Sequence, residues 1–291
     1  MSTSRSILWV EDDVDTQMEM QKAFGEKYKI VFSPTSRSAE ILLLEGPSNY
    51  DLVVVDLFLE SMSRDDGLNL IKYISRTHPV LPVIAVTGEG RHEDLLSAHR
   101  LGASHSFIKT DFDGERWGNE FENYLKPYVF ISYSSKNRAF AELLENRLTP
   151  HCRKVWLDNI ELKGGAVPIR EIAEGIRKAT HFLPILSEAY LQSDWVEKEY
   201  DIVSRQEISG LTRVIPITYG IHEADVPNYF TQLRIDFGKV LNLIGHVDLH
   251  HAVFHKSARP MHEIFDTALQ ELDQQFERLL RALRKRKPEK Y

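Results

Sequence analysis

The chain has 291 residues, 42% hydrophobic and 27% charged, the balance of a globular protein with room for two domains of ordinary size. Its single cysteine, Cys152, excludes an intramolecular disulfide framework, and no apolar run reaches the roughly 20 residues that span a bilayer. The formal charge of −7 is uneven: residues 1–126 hold 13 Lys and Arg against 21 Asp and Glu, a balance of −8, and the remainder holds 23 against 22, a balance of +1. Neither half carries the basic excess of a nucleic-acid-binding domain, and the local basic run Arg281–Lys287 suits a solvated helix end. The opening residues lack a signal-peptide pattern, so the expectation is a cytoplasmic protein with neither a membrane nor a nucleic-acid partner.

Short apolar runs with strand character alternate with helical patterns through the first half. Ile7–Val10, Ile30–Phe32, Leu52–Val55, Val83–Val86 and Ser106–Ile108 read as five strands, and helices are expected near 15–26, 38–44, 67–77, 92–101 and up to Lys126. This alternation predicts a doubly wound parallel sheet, in which ligands bind at the carboxyl ends of the strands. Those ends carry Glu11-Asp12-Asp13, Asp56, Thr87-Gly88 and Lys109. Converging carboxylates repel one another unless a hard divalent cation such as Mg²⁺ neutralises them. A lysine and a hydroxyl opposite them bind phosphoryl oxygens, and Gly88 leaves room for the group to approach. The set reads as a phosphoryl-accepting site with Asp56 as nucleophile.

The motifs Val10-Glu11-Asp12-Asp13, Val55-Asp56, Val86-Thr87-Gly88 and Phe107-Ile108-Lys109 occur in the order of the receiver domain of two-component response regulators, which residues 5–126 resemble. The resemblance implies that a sensor histidine kinase or phosphotransfer protein supplies the phosphoryl group to Asp56. It further implies that Glu11, Asp12, Asp56 and the Phe58 carbonyl hold Mg²⁺, that Thr87 and Lys109 bind the phosphoryl oxygens, and that Phe107 is the aromatic that reorients. Thr110 stands where the family usually has proline, and the loop from Leu57 to Gly67 is longer than usual.

At the junction Pro127 interrupts the last helix and Tyr128 starts the next strand at once, with no Gly/Ser or Pro-rich linker. A junction this short could transmit movement of the last helix to the next domain. Strands follow at Tyr128–Tyr133, Val155–Leu157, Phe182–Leu186 and Val214–Ile217, with helices at 138–148 and from Pro168 to Lys178. Ser193–Glu199 opens another helix: Asp194 is a plausible N-cap, Glu197 fits a capping box, and Glu199 shares a helical face with Trp195 four residues earlier.

The order Phe130–Ser135, Trp156-Leu157-Asp158, Gly164-Gly165, Leu186-Ser187 and Ser193–Glu199 resembles the Toll/interleukin-1 receptor (TIR) domain over roughly 127–237. The resemblance implies homotypic assembly through the loop 158–168, so a homo-oligomer through receiver or TIR contacts is expected. It also implies NAD⁺ cleavage with Glu199 as the catalytic carboxylate. Such cleavage builds oxocarbenium-like charge on the ribose, which a carboxylate stabilises. Ser132, Tyr133 and Ser134, flanked by Asp158 and Gly165, would meet the nucleotide, with Trp195 beside Glu199. Ser134-Ser135 stand where some cleaving relatives carry basic residues, which keeps open a non-enzymatic adaptor that assembles through TIR–TIR contacts.

His246, His250, His251, His255 and His262 read as a plain connecting segment, and Cys152 as a structural cysteine. Met261–Leu283 follows helical spacing and is expected to close the second domain. The sequence thus predicts an α/β protein of two doubly wound, flavodoxin-like parallel-sheet domains in tandem: a receiver at 1–126 and a TIR domain at 127–291 with a long C-terminal helix.

Overall fold

The computed structural model describes residues 5–59, 66–88, 92–159, 169–192, 212–221, 235–236 and 261–284. The chain divides into two compact units, Met1–Lys126 and Pro127–Tyr291. No helix among the described residues is long and apolar enough to cross a membrane.

The first unit alternates strand and helix throughout: β1 Ser6–Val10, α1 Val14–Phe24, β2 Lys29–Ser33, α2 Ser36–Glu45, β3 Leu52–Asp56, α3 Asp66–Thr77, β4 Val83–Thr87, α4 His92–Leu101, β5 His105–Ile108 and α5 Gly114–Leu125. The five strands are parallel in the order β2-β1-β3-β4-β5. Leu52 to Asp56 and Val83 to Thr87 are buried at every position, because helices cover both faces of a parallel sheet. One face packs Ala39, Leu43, Leu70, Ile74 and Ala98 of α2, α3 and α4 on the sheet. The other packs Met20, Phe24, Trp117 and Phe121 of α1 and α5.

Local chemistry sets the helix starts. Asp13 accepts the Thr16 N–H at 2.9 Å and N-caps α1, Asp113 does the same for α5 with Arg116, and Thr35 and Ser38 form a capping box on α2. Gly67 lets α3 start against the end of β3: a Cβ there would lie 2.5 Å from the Asp56 carbonyl oxygen and 2.7 Å from Leu57 Cα.

The second unit runs β6 Tyr128–Tyr133, α6 Arg138–Leu148, β7 Lys154–Asn159, α7 Ile169–Lys178, β8 His181–Leu186, α8 Glu188–Leu191, β9 Arg213–Val214, β10 Ile217–Thr218, β11 Ile235–Asp236 and α9 Met261–Leu283. Its strands are parallel in the order β11-β10-β8-β6-β7, with β9 also on β8. Both units are thus doubly wound α/β sheets.

The single strand expected at Val214–Ile217 is instead two short ones, β9 and β10. Ile215 N–H donates to Phe182 O at 2.9 Å, but the next rung needs an N–H from residue 184, which is proline. Pro216 lies at the same level by the β8–β10 register, so the ladder breaks where two prolines face each other.

Helix α9 docks on this unit. Leu272, Phe276, Leu279, Leu280 and Leu283 join a core shared with Val129, Ile131, Leu144 and Leu183. Arg147 of α6 holds Asp273 at 2.6 Å and lies 5.4 Å over the Phe276 ring. Arg213, buried in β9, donates to the Ala282 carbonyl at 3.3 Å, placing a cation at the helix C-terminus.

Candidate functional site

In the first unit the strand order reverses between β1 and β3, and the predicted acidic residues lie at that switch point. Glu11 follows β1 and is fully buried, and Asp56 ends β3 with 3% exposure. Carboxylate oxygens of Glu11, Asp12 and Asp56 all lie within 4.8 Å of one another. Asp13, expected among the converging carboxylates, turns outward instead. Its side chain is committed to capping α1, and the Thr16 hydroxyl and N–H hold its carboxyl below the usual range.

Lys109, which begins a short 3₁₀ turn after β5, reaches across the cluster. Its Nζ lies 2.6 Å from Glu11 Oε2 and 2.6 Å from Asp56 Oδ2. The other Asp56 oxygen, Oδ1, accepts the Phe58 N–H at 3.0 Å. Burial pushes the Glu11 carboxyl up to about 7 against the opposing pull of Lys109, and burial also raises Asp56. Burial pulls the Lys109 ammonium down, but the Asp56 and Glu11 carboxylates outweigh it and hold it above its ordinary value.

If all three carboxylates ionise, they outnumber the one ammonium by two charges, and a divalent cation such as Mg²⁺ at this cluster of hard oxygens would favour that ionised form over the protonated Glu11 that burial promotes. Thr87, fully buried, ends β4 beside Ile108 of β5. Phe107 stacks on Trp117 of α5, ring centroids 4.3 Å apart and planes within 11°. A Cβ on Gly88 would meet nothing within 4 Å, so the space above the strand end is open there.

In the second unit the order reverses between β6 and β8. Ser132 and Tyr133 are the last two residues of β6, and Ser134 follows them; all three are buried. The β6–β7 register puts Asp158 directly beside Ser132. Gly165, Trp195 and Glu199, with Asp194 and Glu197, lie outside the described residues, as do His246, His250, His251 and His255.

Ser187, quoted from sequence in the motif Leu186-Ser187 but given no role there, and Asn137, not singled out, join the ends of β6 and β8. The Ser187 hydroxyl donates to Asn137 Oδ1 at 2.6 Å and accepts the Tyr190 N–H at 3.1 Å, so one side chain caps α8 and ties the two loops across the switch point. The signal available in sequence was Ser187 directly after an apolar strand run; its partner 50 residues earlier carried none.

Residues 7–116 match the response regulator receiver domain family, and residues 129–259 match the TIR domain family. The chain carries a receiver domain and a TIR domain. The TIR part is 28% identical over 102 residues to the NAD(+) hydrolase PdTIR of Paracoccus denitrificans, covering 35% of this chain and 34% of that protein. It is 30% identical over 105 residues to the probable 2′ cyclic ADP-D-ribose synthase TcpB of Brucella abortus, covering 36% of this chain and 42% of that protein. The receiver part is 36% identical over 83 residues to the nitrogen assimilation regulatory protein NtrX of Azorhizobium caulinodans, covering 28% of this chain and 18% of that protein. The crystal structure of the NtrX receiver domain from Brucella abortus aligns at 32% identity with a TM-score of 0.37, covering 41% of this chain and 97% of that one. The chain spans about a third of the length of the first curated relatives it matches.

Proposed function

We propose that this protein is a two-component signalling effector. Asp56 of a receiver spanning 1–126 takes a phosphoryl group from a histidine kinase or phosphotransfer protein, and the receiver controls a TIR domain spanning 127–291 that cleaves NAD⁺. The observation that carries the phosphoacceptor half is the Lys109–Asp56–Glu11 cluster at the switch point. The NAD⁺ half is supported by similarity to proteins named for NAD⁺ hydrolysis and cyclic ADP-ribose synthesis.

In the first step an Asp56 carboxylate oxygen attacks phosphorus, the P–N bond of the donor phosphohistidine breaks, and an acyl phosphate forms. The Phe58 N–H fixes one carboxylate oxygen, and Lys109 neutralises charge beside the other. Thr87 and Lys109 hold the phosphoryl oxygens. Glu11, Asp12, Asp56 and the Phe58 carbonyl would hold Mg²⁺, which would supply charge neutralisation for the incoming group. In the second step the nicotinamide–ribose bond breaks and nicotinamide leaves as a neutral base. Glu199 stabilises the oxocarbenium-like ribose, and water or a hydroxyl of the same nucleotide completes the reaction to ADP-ribose or its cyclic form. Ser132, Tyr133, Ser134, Asp158, Gly165 and Trp195 form the nucleotide-binding set.

Nicotinamide release from NAD⁺ is the test, measured with and without acetyl phosphate and Mg²⁺ for wild type, Asp56→Ala and Glu199→Gln. Release that depends on Glu199 and changes with phosphorylation of Asp56 supports the reading. No release under any condition, concentrated protein included, leaves the adaptor that assembles through TIR–TIR contacts. Equal release from Asp56→Ala and phosphorylated wild type removes the receiver's control.

A further inference from the structure

Two surfaces on opposite faces of the receiver sheet complement each other. On the face covered by α2, α3 and α4, a groove of about 380 Å³ runs between α3 and α4. Its apolar walls are Leu68 and Leu101, its polar groups are Asn69 and Ser97, and its cations are Lys72 and Arg100. Both cations are exposed, and neither forms an ion pair or hydrogen bond with a described residue. This is a basic, partly apolar groove on a domain whose overall charge is −8.

The face covered by α1 and α5 carries the opposite pattern. Met20 and Phe24 turn α1 into the core, which leaves Val14, 62% exposed, and Met18, 59% exposed, on its outer side. Asp15 and Glu19 lie beside them, exposed and without an ion pair to a described residue. Val14 and Met18 are four residues apart, as are Asp15 and Glu19, so an apolar pair and an acidic pair run side by side along two turns of helix. An exposed apolar strip flanked by charge is the composition of a docking helix rather than of a solvated face.

The geometry points to a head-to-tail contact between copies of this chain, in which α1 of one receiver enters the α3–α4 groove of the next. Val14 and Met18 meet Leu68 and Leu101, and Asp15 and Glu19 meet Lys72 and Arg100. Donor and acceptor surfaces lie on opposite faces of one sheet, so a copy that gives its helix to one neighbour still offers its groove to another. Such a heterologous contact propagates into an open array instead of closing as a two-fold dimer. The inference rests on reading residues 1–126 as a receiver, but its readout is mass and not nicotinamide, so it and the proposed NAD⁺ cleavage can fail separately.

The test is a charge swap in the full chain, followed by sedimentation velocity over rising concentration with and without acetyl phosphate and Mg²⁺. Wild type is expected to form species larger than a dimer. Lys72→Glu with Arg100→Glu, and separately Asp15→Lys with Glu19→Lys, are each expected to raise the concentration for half-association by about tenfold or more. Mixing the two variants, or combining all four substitutions in one chain, is expected to restore association, because each reversed surface then meets a reversed or native complement. Circular dichroism checks that the variants fold, and the quadruple variant guards against a lost surface that is merely a damaged one. The proposal is overturned by a wild type that stays monomeric in both conditions. It is equally overturned by a closed dimer, by association that either reversal leaves unchanged, or by variants that do not rescue each other.

Discussion

Lys109 Nζ sits 2.6 Å from Asp56 Oδ2, although 53 residues separate the two in sequence. The same ammonium holds Glu11 at 2.6 Å, so one cation compensates two carboxylates withdrawn from water. Removing it leaves both charges buried against each other. Lys109→Met is expected to lower the stability of the receiver unit by about 3 kcal/mol. Added Mg²⁺ should recover part of the loss by supplying the missing positive charge. Urea unfolding with and without Mg²⁺ measures both effects; a deficit that Mg²⁺ does not reduce would count against a cation site in this cluster.

His78 lies between α3 and β4 with 8% exposure, edge-on to the Tyr73 ring at 6.1 Å, and neither ring nitrogen has a hydrogen-bond partner among the described residues. Burial lowers its pKa from the ordinary 6.5, so the unfolded chain binds the proton more readily than the folded one. Its contribution to stability is therefore complete above about pH 6.5 and declines as pH falls below that value towards the depressed folded one. His78→Phe keeps the edge contact and removes the titration. Thermal melting at pH 7.5 and 5.5 should show a smaller acid-side drop for the variant than for wild type.

Leu279 is fully buried under α9, whereas Leu269 on the same helix is 53% exposed. Leu279→Ala is expected to cost about 2–5 kcal/mol in the second unit, from lost transfer energy and the cavity left behind. Leu269→Ala should fall within about 0.5 kcal/mol of wild type. Denaturant titration of the full chain, following the transition of the second unit, separates the two. Equal effects would mean that α9 is not part of that core.

Ser187→Ala removes both the α8 cap and the bond to Asn137 in one change. About 1 kcal/mol of stability should be lost with the cap. Freed from each other, the loops after β6 and β8 lose their fixed spacing at the switch point, and the NAD⁺ cleavage proposed for this domain should fall by about tenfold. Ser187→Thr, which retains the hydroxyl, should restore most of both. A loss of activity that Thr does not rescue would place the effect elsewhere.

Much of this architecture was legible in local sequence. Runs such as Leu52–Val55 and Val83–Val86 are β-type and apolar without alternation, which only a strand buried on both faces requires. Placing strands also places their carboxyl ends, and so Asp56, Thr87 and Lys109 emerged as one set before any contact was known. The second sheet was legible for the same reason at Tyr128–Tyr133 and His181–Leu186, both buried throughout.

Other features depend on which distant residue comes to face which. Asp13 reads like its neighbours Glu11 and Asp12, but the direction of the chain leaving β1 sends it to cap α1 instead of to the cluster. Pro184 and Pro216 each look tolerable alone; only the register of β8 against β10 brings them level and splits the predicted strand. The Ser187–Asn137 bond, the basic groove between α3 and α4, and the burial of His78 likewise have no local signal. By itself the sequence determined the strands, the helices and the residues at the strand ends, because backbone propensity and hydrophobic period act over a few neighbouring residues. Only the tertiary structure decided which charges share a cation and which polar groups lose water, because desolvation and Coulomb energy depend on distance in space.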